Sequence, residues 1–135
     1  MQELLMIRMG SQPFLIRLHD VMEIVRPVEL TPVPMAPDHL LGLANVHGQI
    51  VCIIDPCAVL RLETGRQAMS ARTRFVVLRH PHMHVGVWAD EVASISRIPA
   101  SELPENDADD RVATLGTIDL VQGAYELLNT KALFR

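Results

Sequence analysis

Nine prolines and seven glycines break the 135-residue chain into short segments, and this limits the folds that it can adopt. Pro27, Pro32 and Pro34 follow one another closely, and each excludes a helix interior because proline lacks an N–H and fixes its φ. Between the breaks, apolar residues recur with a period of two, which favours β-strands. The pattern predicts a mostly β protein with about eight to ten short strands and a few brief helices, arranged as a barrel or a sandwich.

The N-terminal part of the chain is predicted to be a β-hairpin followed by a short turn. Two alternating apolar runs flank Gly10, which suits the turn of the hairpin. Asp20 is placed to cap a single helical turn, with Glu23 three residues later in the position of a capping box. An extended, edge-like strand is then expected from Arg26 to Val33.

The segment that follows combines a predicted helix with a predicted strand. Pro37 suits the first position of a helix, and Gly48 suits its end. The continuous apolar run QIVCIID predicts a central, buried strand. Asp55 is expected to cap another short helix that starts at Pro56.

A polar segment from Glu63 to Thr73 is predicted to connect two halves of a single domain, residues 1–62 and 73–135, with strand exchange between them. Beyond it, two strands are expected around a turn at Pro81, followed by an extended run to Ile98. The acidic stretch after Ile98 predicts a solvated loop. The chain is expected to end in a hairpin around Gln122 and Gly123 and a short helix.

Composition and charge argue against several classes of function. The formal net charge is −4, the pI is near 5.8 and Lys131 is the only lysine, so the chain lacks the basic stripe that nucleic-acid binding needs. No apolar run reaches the length of about eighteen residues that spans a bilayer, so no membrane insertion is expected. Cys52 and Cys57 are the only cysteines, which predicts reduced thiols and a cytoplasmic location.

One segment carries the clearest family signature. In GLANVHGQIVCIID, Gly42 and Gly48 frame a turn that leads into an apolar strand ending at Asp55. This segment resembles the signature of CheW-like domains, the coupling modules of chemotaxis. Upstream, PFLIRLHDVMEIVRPVELTPVPMAPDHLLG resembles the approach to that motif, and downstream HVGVWADEV and YELLNTKALF are similar to later strands of the family. Together these motifs cover nearly the whole chain.

The resemblance implies both a fold and a role. The fold is two small five-stranded SH3-like β-barrels that share a hydrophobic core, the first drawn from residues 1–62 and the second from residues 73–135. The role is that of a non-enzymatic adaptor, without a cofactor, that couples chemoreceptors to a CheA-type histidine kinase in two-component signalling. The implied partners are the regulatory domain of that kinase and the cytoplasmic tip of a methyl-accepting chemoreceptor, whose helical hairpin would enter a groove between the barrels.

The same resemblance assigns candidate contact residues. Those facing the receptor lie on a V-x-E-I turn and on the glycine-framed loop: Val21, Glu23, Ile24, Gly42, Asn45, His47 and Gly48. For the kinase, only positions on the neighbouring strand are assigned: Arg26, Val28 and Leu30.

The chain departs from the family pattern at three positions. His47 replaces an arginine, Cys52 replaces a proline, and Pro56 replaces a leucine. The family arginine pairs with the glutamate of the V-x-E-I turn, which is Glu23 here. Because histidine is shorter and only partly charged at neutral pH, we expect a weaker, pH-sensitive pair, and we expect His47→Arg to strengthen coupling.

A second class of function, a small metal- or ligand-sensing β-barrel, rests on the segment HPHMH. His80, His82 and His84 alternate along the chain, and imidazoles bind zinc, copper or nickel. Pro81, however, is expected in the turn, which would separate the three rings, and no neighbouring cysteine completes a ligand set. The segment is therefore interpreted as a solvated turn. No nucleophile lies at a fixed spacing from a base, so no catalytic site is predicted.

Overall fold

A computed structural model of the chain describes residues 2–10, 12–62, 65–99, 101, 114–120, 123–128 and 130. Within these ranges the chain forms ten strands and one short α-helix, and a 3-10 turn lies at Leu18–Asp20. The strands and the helix are β1 (Gln2–Met9), β2 (Gln12–Arg17), β3 (Val21–Val25), β4 (Leu40–Val46), β5 (Gln49–Ile54), α1 (Pro56–Leu60), β6 (Arg74–Leu78), β7 (Val85–Ala89), β8 (Glu91–Ile98), β9 (Thr114–Leu120) and β10 (Gly123–Leu128).

The strands form two five-stranded sheets, and the prediction of a mostly β fold is confirmed. The terminal sheet has the order β8-β1-β2-β10-β9, and the central sheet has the order β3-β6-β7-β5-β4. Neighbouring strands are antiparallel except for β2 with β10 and β5 with β7, which are parallel. Neither sheet is built from one half of the chain. Residues 1–62 and residues 73–135 each supply strands to both sheets.

A hydrophobic core lies between the two sheets and joins them. Leu5, Ile7 and Met9 of β1 point into it from the terminal sheet, and Val76 and Val87 point into it from the central sheet. The residues that alternate with the first set enter a second cluster inside the terminal sheet, which contains Leu4, Met6, Leu15, Ile98 and Leu127. Strand β1 is therefore buried on both faces, as its apolar sequence indicates.

The central sheet has its own interior as well. Val51 and Ile53 of β5 pack there with Phe75 and Trp88, whose ring centroids are 5.9 Å apart. The expected buried strand at QIVCIID is therefore confirmed. The short helix after it is confirmed too, because the Asp55 carboxylate caps α1 by accepting the Cys57 N–H at 3.0 Å.

The predicted turn at the V-x-E-I motif is wrong. The 3-10 turn ends at Asp20, no side chain caps it, and Val21–Val25 is strand β3, paired with β6. The three β-branched residues of β3, Val21, Ile24 and Val25, fit a pleated strand better than a helix. The expected strand from Arg26 to Val33 is also wrong, because within it only Thr31 pairs, forming an isolated bridge to Leu43.

The predicted helix from Pro37 is likewise wrong. After a turn that includes Asp38, residues Leu40–Val46 form strand β4, which pairs with β5 in register Ala44 to Val51. Tertiary pairing overrides a helical spacing of leucines here, because the inward positions of β4 fill the interior of the central sheet.

The hairpins β1–β2, β6–β7 and β9–β10 occur where they are predicted. The acidic stretch 102–110 and the expected C-terminal helix lie outside the described residues.

Candidate functional site

The glycine-framed motif forms a two-residue turn between β4 and β5. His47 and Gly48 both have positive φ, 53° and 83°, which is the geometry of the turns that match the twist of a hairpin. Asn45 supports the turn because its Oδ1 accepts the Gly48 N–H at 2.9 Å. Glycine adopts this geometry freely, whereas the left-handed backbone of His47 carries a conformational cost.

The turn places the His47 side chain on Glu23 of β3. The distance from Nε2 of His47 to Oε1 of Glu23 is 2.6 Å, and the two side chains are 71% and 39% exposed. The family resemblance pairs these same two residues. The structure brings them into contact although they are 24 positions apart in the chain.

This contact lies where the central sheet closes on itself. Strands β3 and β4 are the opposite edges of that sheet, and the segment after β3 returns to β4. There Thr31 and Leu43 exchange two backbone hydrogen bonds of 2.8 Å each. We call this junction the seam: Glu23 and Thr31 on one side, and Gly42, Leu43 and His47 on the other.

Gly42 lets the two sides of the seam approach each other. Its φ is 153°, and a Cβ at this position would lie 2.8 Å from the backbone oxygen of Thr31 and 3.2 Å from Cβ of Leu30. The seam is backed by the half-buried side chains of Val25, Leu30 and Leu41, which pack against the interior of the central sheet.

Exposed apolar side chains surround the seam. Met22 and Ile24 on β3 are 51% and 39% exposed, and Ile50 on β5 is 55% exposed. Ile24 also borders a groove of about 300 Å³ between the two sheets. The groove is lined by β3, β8, the first residue of β6 and the segment before β6: Ile24, Ala71, Arg72, Arg74, Glu91 and Val92.

The remaining predicted contact residues are spread more widely. Val21 is buried in the core between the sheets and presents almost no surface. Arg26 and Val28 are exposed on the irregular segment after β3, while Leu30 is half-buried at the seam. One of the residues predicted to contact the receptor therefore lies in the core. The residues predicted to contact the kinase lie on a loop and not on a strand.

The histidine turn is held by the side chain of its first residue, His80. Nδ1 of His80 accepts the N–H groups of His82 and Met83, both at 3.0 Å, so this nitrogen serves the turn. The His80 and His82 ring centroids are 6.2 Å apart. Among the described residues, no group of three or more histidine, cysteine, aspartate or glutamate side chains is arranged to hold a metal ion.

Asp90 is a structural centre that motif reasoning missed. Its buried carboxylate accepts the Gly10 N–H at 2.8 Å, the Trp88 Nε1–H at 2.8 Å and the Gln67 N–H at 3.1 Å. It therefore fastens the β1–β2 turn and the segment before β6 to the end of β7. The sequence signal that could have identified this residue is an aspartate directly after the apolar run VGVWA.

The environment of Cys57 keeps its thiol unreactive. Burial, followed by the negative charges of Asp55 and Asp90, raises the pKa of Cys57 to about 12. Because the thiolate is the nucleophile, a thiol with such a pKa is inert near neutral pH. Cys57 is core filler beside α1.

Comparison with known proteins matches the whole described fold to one family. The model of the CheW-like domain matches residues 3–135. A chemotaxis protein CheW of Helicobacter pylori is 30% identical over 79% of this chain and 66% of its own length. Protein FrzA of Myxococcus xanthus is 31% identical over 99% of this chain and 86% of its own length.

A solved structure shows the same fold. The scaffolding protein TtCheW from Thermoanaerobacter tengcongensis superimposes with a TM-score of 0.84 at 18% identity, covering 99% of this chain and 88% of that protein. In the part of the chain that the structure describes, no helix has the length and apolar character to cross a membrane.

Proposed function

This chain belongs to the CheW-like domain family, and on that premise we propose that it is a non-enzymatic adaptor that couples chemoreceptors to a CheA-type histidine kinase. The family match over residues 3–135 carries the proposal. The proposed partners are the regulatory domain of the kinase and the cytoplasmic tip of a methyl-accepting chemoreceptor, and the proposed location is the cytoplasm. The mechanism is scaffolding, in which the adaptor binds one kinase conformation more tightly than another and so shifts their populations.

The groove between the sheets supports the proposed receptor contact. Its lining combines the apolar side chains of Ile24 and Val92 with the charged side chains of Arg72, Arg74 and Glu91. A groove lined by both apolar and charged side chains suits the helix-in-groove mode of recognition. The proposed receptor surface is therefore this groove together with the adjoining seam: Glu23, Ile24, Gly42, Asn45, His47 and Gly48.

Val21 takes an indirect part in this surface. Val21 is 7% exposed and packs in the core between the sheets. Its proposed role is to hold β3 in place, while neighbouring residues contact the receptor. For the kinase, the proposed contact is the segment with Arg26, Val28 and Leu30, of which Val28 is 39% exposed.

Isothermal titration calorimetry tests the proposal with two purified partners, a kinase regulatory domain and a coiled-coil receptor tip. A charge at Ile24 would be buried against the apolar wall, so Ile24→Glu is expected to weaken binding of the receptor tip by at least about tenfold. Affinity for the kinase domain is expected to stay the same, because the two contacts are proposed at different places.

Ile95→Glu is the matched control. Ile95 is 53% exposed on β8 and does not line the groove, so the same substitution there is expected to leave both affinities unchanged. The proposal is wrong if the wild-type chain binds neither partner, and the groove assignment is wrong if both variants weaken the receptor tip equally.

A further inference from the structure

A second cavity adjoins the groove between the sheets. It has a volume of about 270 Å³, and Arg72 and Glu91 line both this cavity and the groove. We call it the polar pocket, because every residue that lines it is polar or charged: Arg8, Gln67, Ser70, Arg72, Asp90 and Glu91. The groove itself has the apolar side chains of Ile24 and Val92 in its lining. A partner helix that lies along both cavities therefore meets an apolar surface and, beside it, a polar one.

The two carboxylates of the polar pocket are already engaged by the chain itself. Asp90 accepts the Gly10 N–H and the Trp88 Nε1–H, both at 2.8 Å. Oε2 of Glu91 lies 3.6 Å from Nε of Arg8, so these two charges offset each other. Both acidic groups of the pocket thus have their partners within the chain.

Arg72 differs from these groups, because its guanidinium forms no ion pair or hydrogen bond within the part of the chain that the structure describes. Arg72 is exposed, but its backbone is fixed. Its N–H donates to Oγ of Ser70 at 3.1 Å, and the Ser70 N–H donates to Oγ1 of the fully buried Thr73 at 2.9 Å. The guanidinium of neighbouring Arg74, by contrast, donates to the backbone oxygens of Ala71 and Thr73 at 2.9 and 2.7 Å. Arg72 is therefore a cation on an anchored segment whose hydrogen-bond donors are available to a partner.

We propose that the polar pocket binds an acidic side chain of the receptor helix that occupies the groove, and that Arg72 holds its carboxylate. A guanidinium presents a planar pair of N–H donors that matches the two oxygens of a carboxylate. On one face of a helix, residues three or four positions apart are neighbours. The receptor helix is therefore expected to carry a glutamate or an aspartate three or four positions from the apolar residue that packs against Ile24 and Val92. This proposal rests on the proposed function for the identity of the partner.

Such a contact acts mainly on the choice and register of the partner helix. An ion pair at the rim of an interface adds little affinity, whereas a like charge placed against Arg72 is repelled. The polar pocket therefore distinguishes receptor helices that carry an acidic residue at this position from those that carry a lysine or an arginine there.

Isothermal titration calorimetry with the purified chain and the coiled-coil receptor tip tests the proposal. Arg72→Gln removes the charge and is expected to weaken binding by up to about fivefold, the scale of an exposed ion pair. Arg72→Glu places one carboxylate against another and is expected to weaken binding by at least about tenfold. Affinity for the kinase regulatory domain is expected to stay the same in both variants, which also shows that they fold.

Arg61→Glu is the matched control. Arg61 is also exposed, but it follows α1 and lines neither cavity. The substitution changes the net charge by the same amount and is expected to leave the affinity for the receptor tip unchanged. Equal weakening by Arg61→Glu and Arg72→Glu would make the overall charge responsible and would overturn the pocket assignment.

A charge swap on the receptor tip identifies the acidic residue. Each glutamate and aspartate of the tip is replaced by arginine, one at a time, and each variant is titrated with the wild-type chain and with Arg72→Glu. One variant is expected to bind Arg72→Glu at least about tenfold more tightly than the unmodified tip does, and to bind the wild-type chain more weakly, because the ion pair is restored with its signs exchanged. If no replacement distinguishes the two chains in this way, the proposal is overturned.

The same titrations separate this proposal from the proposed function. If Ile24→Glu weakens binding of the receptor tip and Arg72→Glu does not, the groove assignment stands and only the polar pocket is overturned. If the wild-type chain does not bind the receptor tip at all, the proposed function fails and the pocket assignment fails with it.

Discussion

Some single residues connect distant parts of this chain in addition to the strand pairing. The Asp90 carboxylate is the clearest case, because it accepts N–H groups from Gly10, Gln67 and Trp88, which belong to three separate segments. Its own N–H donates to the oxygen of Arg8 at 2.9 Å. A buried carboxylate is stable only when hydrogen bonds replace its hydration, and this one has them.

Removing this carboxylate is expected to destabilise the fold. Asp90→Ala would leave three N–H donors without their acceptor, so the free energy of unfolding is expected to fall by about 2–4 kcal/mol. This change in the free energy of unfolding is measured by urea denaturation, with Trp88 fluorescence as the signal. Asp38→Ala serves as the control, since Asp38 is exposed, and an equal loss in both variants would refute the role given to Asp90.

At the scale of elements, β4 shows how a neighbour decides local structure. The leucines near its start have helical spacing, yet the segment pairs with β5 along six residue pairs and is bridged by Thr31 on its other side. Gly42 makes that second pairing possible, because any Cβ would press on the backbone oxygen of Thr31. The choice of strand over helix therefore depends on the partners of β4 in the sheet and not on its own sequence alone.

Gly42→Ala is expected to strain the seam. The added methyl would meet a backbone atom that cannot move away easily, and the φ of 153° is unfavourable for alanine. We expect a loss of about 2–3 kcal/mol in the free energy of unfolding, measured by urea denaturation. Gly65→Ala is the matched control because nothing lies within 4 Å of a Cβ there. Equal stability of the two variants would contradict this account.

At the scale of the whole molecule, the shared core makes the two sheets one unit. Strand β1 belongs to the terminal sheet, but its residue Ile7 is fully buried between the sheets, against side chains of the central sheet. Because each sheet covers an apolar face of the other, neither is complete alone. Small domains built in this way usually unfold in one cooperative step.

The single tryptophan and the single tyrosine allow this cooperativity to be measured. Trp88 lies in the interior of the central sheet, and Tyr125 packs against that of the terminal sheet. Ile7→Ala is expected to cost about 2–5 kcal/mol and to shift the urea transitions of both probes together. Tyrosine emission is read in a Trp88→Phe background.

The exposed Ile50 provides the comparison for this experiment. Ile50→Ala is expected to change the stability by no more than about 0.5 kcal/mol, because its side chain is 55% exposed. A Tyr125 transition that moves in Ile7→Ala while the Trp88 transition stays in place would show that the sheets unfold independently.

Periodicity and turn residues were sufficient to predict the β-rich class, the β1–β2 hairpin, buried β5 and the Asp55-capped helix. These features depend on residues close in sequence, through alternation, a capping side chain and the fixed φ of proline. The family resemblance added the Glu23–His47 pairing, which periodicity could not provide. Local pattern failed at β3 and β4, where short apolar segments fit a helix or a strand equally well.

Only the tertiary structure decided those ambiguous segments and the site itself. Sheet edges separated by many residues meet at the seam, and the free energy that selects strand for β4 comes from pairing with β5 and from burial in the cluster that contains Phe75 and Trp88. The same holds for Asp90, whose three donors are assembled by the fold. The sequence by itself determined which residues could turn, cap and alternate, because those preferences are local; the contacts between remote residues required the folded chain.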